Sequence, residues 1–269
     1  MSRYGSYEDN PALAELYDLV PGYINRSDID FYLQDSREAG GPILELGCGT
    51  GRILLPIVED GQHITGIDIS PYMLARCREK LQLQPAAVQK RASLLQGDIT
   101  DFSLDEKFNR AIIPFRVFQH LITTDEQLSC LRCINRHLID RGRLVIDVFQ
   151  VNLKFINDPR YKKEVEDLAE FELPDGRRLR RNHRMASYNR AEQCNQVELI
   201  YYLTHPGGTT ERIVQSFPFR YFFRYEIEHL LERCGFTVVD LFGNFDRSPL
   251  VDDSPEMIFV AEKKHAVDG

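Results

Sequence analysis

Apolar positions in this chain follow two rhythms. In the first half, short unbroken apolar runs at 43–46, 64–69, 108–114 and 144–149 alternate with stretches of helical spacing. Continuous apolar strands suit a sheet covered on both faces, and alternation of strand with helix predicts an α/β fold. Helix starts are legible too. Asn10-Pro11 precedes the stripe Leu13, Leu16, Tyr17 and Val20, and Ser27 to Asp30, with capping-box character, precedes Ile29, Phe31, Tyr32 and Leu33. Ser70-Pro71 opens a helix directly after the second run. Thr124 with Gln127 makes a possible box before Leu128, Leu131, Ile134 and Leu138.

The rhythm changes after residue 151. Strict alternation at 196–202 and 217–223, with turn signals at Pro174-Asp175-Gly176 and Pro206-Gly207-Gly208, predicts an inserted antiparallel sheet over 152–223. Helical spacing returns at Ile227, Leu230, Leu231 and Cys234, stopped by Gly235, and strands at 236–242 and 257–261 close the chain. Three parts follow: N-terminal helices (1–40), an α/β core (41–151 and 224–265) and the insert (152–223).

Composition narrows the partners. A formal charge of −8 in 269 residues argues against gripping a nucleic-acid backbone. The start, Met1 to Asn10, has no apolar h-region, and no run of eighteen apolar residues exists, so neither export nor a membrane span is expected. Six cysteines without framework spacing suit reduced thiols in the cytoplasm. Nothing calls for a metal. Cys130, Cys133 and His137 share a helical stripe but lack a fourth ligand and merge with Leu131 and Ile134.

The chemistry concentrates where the first strand ends. Glu45, Gly47, Cys48, Gly49 and Gly51 form E-x-G-C-G-x-G, and Asp68 ends the next apolar run. Glycines let backbone approach a ligand where a Cβ would collide, and a carboxylate at the next strand tip can accept both hydroxyls of a ribose. A dinucleotide fingerprint needs a third glycine where Arg52 stands. Asp68 also suits the helix dipole after Pro71.

This block resembles motif I of the class I S-adenosylmethionine-dependent methyltransferases, small-molecule type with an inserted sheet, and the likeness spans about 42–151 and the final helix and strands. The resemblance implies a Rossmann-like seven-stranded sheet with helices on both faces, its last strand antiparallel, and the insert as an antiparallel β-sheet covering the site. It implies S-adenosyl-L-methionine as cofactor: the glycines and Glu45 at the methionyl end, Asp68 on the ribose, Asp98 and Ile99 on the adenine with Ile69 and Met73, and Pro114-Phe115 beside the methionine moiety. Tyr17 would come over that moiety, or serve as a core aromatic.

A small-molecule acceptor with an N, O or C nucleophile is the expected substrate. His120, after the fourth strand, and Tyr221 are candidate bases, because a hydroxyl or carbon acid must lose a proton whereas a neutral amine need not. Arg177, Arg178, Arg180, Arg181, His183 and Arg184 form the basic cluster on which an RNA or protein methyltransferase could dock, or simply a solvated strand. A non-catalytic cofactor-binding module is the other alternative. Asp246 and Arg247 are secondary substrate candidates if the sixth strand is parallel.

Overall fold

A computed structural model describes residues 7–156 and 158–265; the first six residues of the polar N-terminal segment lie outside it. The apolar runs become β1 (Ile43–Leu46), β2 (Ile64–Asp68), β3 (Ala92–Gln96), β4 (Phe108–Ile113) and β5 (Leu138–Phe149). The insert contributes β6 (Val165–Glu172), β7 (Arg178–Asn189), β8 (Cys194–Thr204) and β9 (Thr210–Arg220), and the chain closes with β10 (Phe236–Phe242) and β11 (Glu256–Lys263). The seven-stranded sheet runs β10-β11-β5-β4-β1-β2-β3. Strands β1 to β5 pair in parallel, while β11 lies antiparallel between β5 and β10.

Alternation within each strand divides the core between the two faces. Ala111 and Ile113 of β4, with Leu144, Ile146 and Val148 of β5, pack under the helices Thr124–His137 and Arg224–Arg233. Ile112 and Val145 point the other way, into a cluster with Phe31, Tyr32, Leu54 and Leu74 from the helices Asp28–Ala39, Leu54–Glu59 and Pro71–Gln82. Crossovers on both faces bring every β-to-α turn of the parallel strands to one edge of the sheet, the position at which open α/β sheets bind ligands.

Local capping agrees with the sequence at two starts and shifts at two others. Asn10 Oδ1 accepts from Ala12 N (3.0 Å), and Ser70 Oγ from Met73 N (3.2 Å). The box expected at Thr124 is one residue earlier: Thr123 Oγ1 accepts from Glu126 N and the Glu126 carboxylate from Thr123 N, because Thr123, not Thr124, has the extended backbone an N-cap requires. Ser27 makes no capping bond, since its backbone is already helical.

The insert is an antiparallel meander, β6-β7-β8-β9, that begins at Val165 after the short turns Leu153–Ile156 and Pro159–Lys162. One part of its inner face packs Leu179, Tyr201 and Leu203 against Leu13, Leu16 and Val20 of the N-terminal segment. Helix Pro11–Tyr17 and the insert therefore make one roof above the carboxyl edge of the sheet. Asp18 ties that roof to the core, accepting from Thr50 Oγ1 (2.6 Å) and Lys80 Nζ (3.0 Å).

Candidate active site

After β1 the chain turns through Gly47 (φ +75°) and Gly49 (φ +54°). A Cβ on Gly47 would lie 2.7 Å from both Val117 methyls, whereas one on Gly49 would meet no protein atom within 4 Å. Gly49 instead faces a cavity of about 380 Å³ between the sheet edge and the roof. Its N–H donates to Asp68 Oδ2 (2.8 Å), and Ser70 N donates to Oδ1 (2.8 Å). The Ile69 N–H also approaches this carboxylate, which still keeps acceptor capacity for a ligand. Burial raises the Asp68 pKa to about 6 against the backbone N–H groups of Ser70, Gly49 and Ile69, and the neighbouring Glu8 adds to the rise.

Ile69, Met73, Asp98 and Ile99 line the same cavity. Asp98 Oδ1 is shared by Thr100 N (2.8 Å) and Thr100 Oγ1 (2.7 Å), an Asx-type turn that fixes the carboxylate at the end of β3. Four of the residues singled out in the sequence stand behind the wall, not on it. Glu45 is 2% exposed, with its pKa held well above the carboxylate range by burial and Oε2 lacking a partner. Cys48 and Pro114 are buried, and Gly51 packs so closely on Cys77 that a Cβ would come within 2.6 Å of its sulfur.

The turn after β4 carries two consecutive non-glycine residues in the left-handed region, Phe115 (φ 55°) and Arg116 (φ 66°). Such backbone persists only when its surroundings enforce it. Asp147, fully buried at the end of β5, does so by accepting from Phe115 N (2.8 Å) and Arg116 N (3.2 Å), with Tyr32 Oη donating to the same carboxylate at 2.5 Å. The turn aims Phe115 into a cluster of rings: Tyr17 and Tyr23 stand 6.1 and 5.1 Å from it, and Tyr7 is 6.2 Å from Tyr17. All four rings line the cavity.

Beneath them lies an ionic pair that the motif did not announce. Arg52, the residue that excluded the dinucleotide fingerprint, donates through both terminal nitrogens to the buried Asp28 (2.6 and 2.7 Å) and stacks its guanidinium 4.8 Å from the Phe115 ring. Opposite, the roof contributes Arg181, Val197, Leu199, Gln215, Phe217 and Phe219. His120 rises from the core to meet Phe217 and Phe219 at 5.2 and 5.1 Å.

Residues 43–142 match a family model described as a methyltransferase domain. These residues therefore form a methyltransferase domain. Over 254 residues the chain is 23% identical to the cypemycin N-terminal methyltransferase of a Streptomyces species, covering 93% of this chain and 95% of that one. The dTDP-3-amino-3,4,6-trideoxy-α-D-glucopyranose N,N-dimethyltransferase of Streptomyces venezuelae is 28% identical over 142 residues, half of this chain and 56% of the other. Among solved structures, the CcbJ methyltransferase of Streptomyces caelestis superposes with a TM-score of 0.75 at 20% identity, over 98% of this chain and all of that one, a likeness of fold. Another structure of this fold, the amino pentose methyltransferase CalS10 of Micromonospora echinaspora (TM-score 0.64, 21% identity, over 97% of this chain and 93% of that one), was solved with S-adenosylmethionine bound.

Three features differ from what the sequence suggests. Phe217 and Phe219 face the cavity, but β9 ends at Arg220, and Tyr221 packs beside Phe223 with its N–H bonded to Gln193 O (2.9 Å), outside the cavity wall. The basic cluster is also internally neutralised. Arg177 pairs with Glu15 and Asp175, Arg178 with Glu170, Arg180 with Glu166, Arg181 with Asp167 and Arg184 with Glu198. Cross-strand acids cancel the charge that a nucleic acid would seek. The loop after β10 lies at the carboxyl edge, but Asp246 and Arg247 do not line the cavity; Arg247 pairs instead with Glu38 (3.0 Å). Among the described residues no helix is long and apolar enough to cross a membrane.

Proposed function

We propose that this methyltransferase moves the methyl group of S-adenosylmethionine to a nitrogen or oxygen of a small molecule held between the sheet edge and the inserted sheet. One observation carries the reading: a single cavity runs from Gly49, Asp68 and Asp98 to Val197, Leu199, Phe217 and Phe219. A donor seated on the first set and an acceptor against the second would meet inside it. The two sequence relatives described above are named for transfer to an N-terminus and to an amino-sugar nitrogen, which supports an amine.

The residues fit the cofactor. The open space at Gly49 suits the methionyl chain, and the Asp68 carboxylate suits the ribose hydroxyls. Glu45 Oε2, buried behind the wall without a partner, suits an ammonium group reached through a water. Ile69, Met73 and Ile99 suit the adenine faces, and Asp98 its exocyclic amine. Once bound, the cofactor supplies a methyl group already activated by its sulfonium charge. The protein's own work is then to align the nucleophile, hold it neutral and exclude water.

Segment 152–223 and residues 1–40 act as the lid in this proposal. Tyr17 with Tyr7, Tyr23 and Phe115 walls off the transfer point. His120 is neutral at ordinary pH because burial lowers its pKa to about 4, so it offers an acceptor lone pair but little proton affinity. That favours an acceptor that arrives as a free amine over one that must be deprotonated. The six unpaired thiols support a reducing compartment, the cytoplasm.

The test is transfer from methyl-labelled cofactor to pooled small amines and phenols, with RNA and total protein in parallel. Label in the low-molecular-mass fraction supports the proposal. Label confined to RNA or protein, or cofactor binding without transfer to any pool, overturns it.

A further inference from the structure

The acceptor end of the cavity has a chemical bias that the methyl-transfer reading leaves unused. Strands β7, β8 and β9 are in register so that Arg181 pairs with Tyr201, Leu199 with Gln215 and Val197 with Phe217. Their inner faces thus present four apolar side chains, one neutral amide and one guanidinium. The guanidinium is only 10% exposed. Its Nε and Nη2 donate to Asp167 (3.1 and 2.8 Å), and Nη1 donates to Tyr23 Oη (2.5 Å). The Tyr201 hydroxyl lies close enough to take a fourth N–H. Of the five that a guanidinium carries, at least one remains for a ligand.

Charge around the cavity is segregated. Among the described lining residues the acids are Asp68 and Asp98, both at the ends of core strands on the cofactor side. Asp167, the partner of Arg181, is not a lining residue, so the cavity meets the guanidinium and not its counter-ion. Arg116, paired to Glu256 at 2.6 Å, also faces the cavity. A cationic group on the acceptor would find two arginines at this end and no carboxylate. An anionic group would find a donor already held in place by Asp167 and Tyr23, with little ordering left to lose.

We propose, resting on the methyl-transfer reading above, that the acceptor is a small carboxylate: an apolar or aromatic body against Val197, Leu199, Phe217 and Phe219, with its carboxylate hydrogen-bonded to Arg181. A monoanion fits better than a phosphate dianion, because Asp167 already offsets most of the guanidinium charge.

The test uses the full chain saturated with S-adenosylhomocysteine and three matched pairs of probes: butyrate and butyramide, benzoate and benzamide, 3-phenylpropionate and 3-phenylpropionamide. Calorimetry is expected to show the carboxylate binding at least about tenfold tighter in one or more pairs, the size of one charge-assisted hydrogen bond. Arg181→Gln should erase that preference while S-adenosylhomocysteine affinity stays as in the native protein. Asp167→Asn, which frees the guanidinium without removing it, should widen the preference. Amides binding as well as carboxylates in every pair, no binding by any probe, or a preference that survives Arg181→Gln or is unmoved by Asp167→Asn would overturn the proposal. Failure of the native protein to bind S-adenosylhomocysteine would instead remove the reading beneath it, and the proposal would fall with that reading.

Discussion

Cofactor affinity should fall about tenfold between pH 7 and pH 5, and Asp68 should be the cause. Its pKa stands near 6 because burial beside Glu8 outweighs the N–H groups of Gly49 and Ser70. A ribose diol donates to the ionised carboxylate, and the neutral acid loses acceptor capacity. About ten elevenths of Asp68 is ionised one unit above its pKa and about one eleventh one unit below, so the loss is about tenfold, or about 1.4 kcal/mol. Stability of the free protein should move the opposite way. An aspartate whose pKa is raised on folding from 3.8 to about 6 carries no penalty below the lower value and its full penalty above the higher. Stability therefore declines as pH rises through that window, by roughly 3 kcal/mol at most. Asp35 and Asp147, also raised to about 6 by burial, act in the same direction, so unfolding cannot isolate Asp68 but binding can. The assay is calorimetric titration with S-adenosylhomocysteine at pH 5, 6 and 7 on the native protein and on Asp68→Asn. A flat native profile, or an equal fall in the variant, would refute the reasoning.

Gly49→Ala should cost about 1–2 kcal/mol of folding stability for its left-handed backbone and lower cofactor affinity more than about tenfold by filling the open space; unchanged affinity by calorimetry would remove Gly49 from the cofactor site. Asp28→Ala leaves Arg52 and Arg26 buried beside an empty position and should destabilise by about 3–5 kcal/mol in urea, while an effect below about 1 kcal/mol would mean that water reaches the pair. With a pKa near 4, His120 is a weak base, so His120→Asn should lower kcat less than about tenfold; a hundredfold loss at unchanged KM would assign it the proton. Arg178→Ser with Arg180→Ser should leave turnover unchanged and stability within about 1 kcal/mol, because both pairs are exposed at the edge of the insert; loss of turnover would revive a docking role.

What the sequence discloses here depends on whether a signal is local. Strands β1, β2, β4 and β5 could be read because burial on both faces demands unbroken apolar runs, and the inserted sheet because one covered face demands alternation. The glycine turn and the acid that line the cavity could be read because both are written within about twenty positions. Contacts across elements left no such trace. Arg52 stands one position beyond the motif, but its partner Asp28 is on another helix. Arg181 looks like its neighbours in the basic cluster, and only strand register turns it inward while Arg178 and Arg180 remain on exposed pairs. Tyr221 continues the aromatic alternation, yet β9 has already ended at Arg220, a boundary that periodicity does not mark.

The seam between helix Pro11–Tyr17 and the inserted sheet joins residues that a ribosome makes far apart in time. Leu13 and Leu16 emerge early, and Leu173, which they pack against, follows some 160 positions later. A chain synthesised from its N-terminus can form β1 to β4, with the glycine turn and both acids, before the seam has a second side. The apolar stripe on the first helix must wait, exposed, throughout that interval. The nascent protein thus presents the floor of the cavity before it has a roof. Throughout that interval the helix is open to chaperones and proteases.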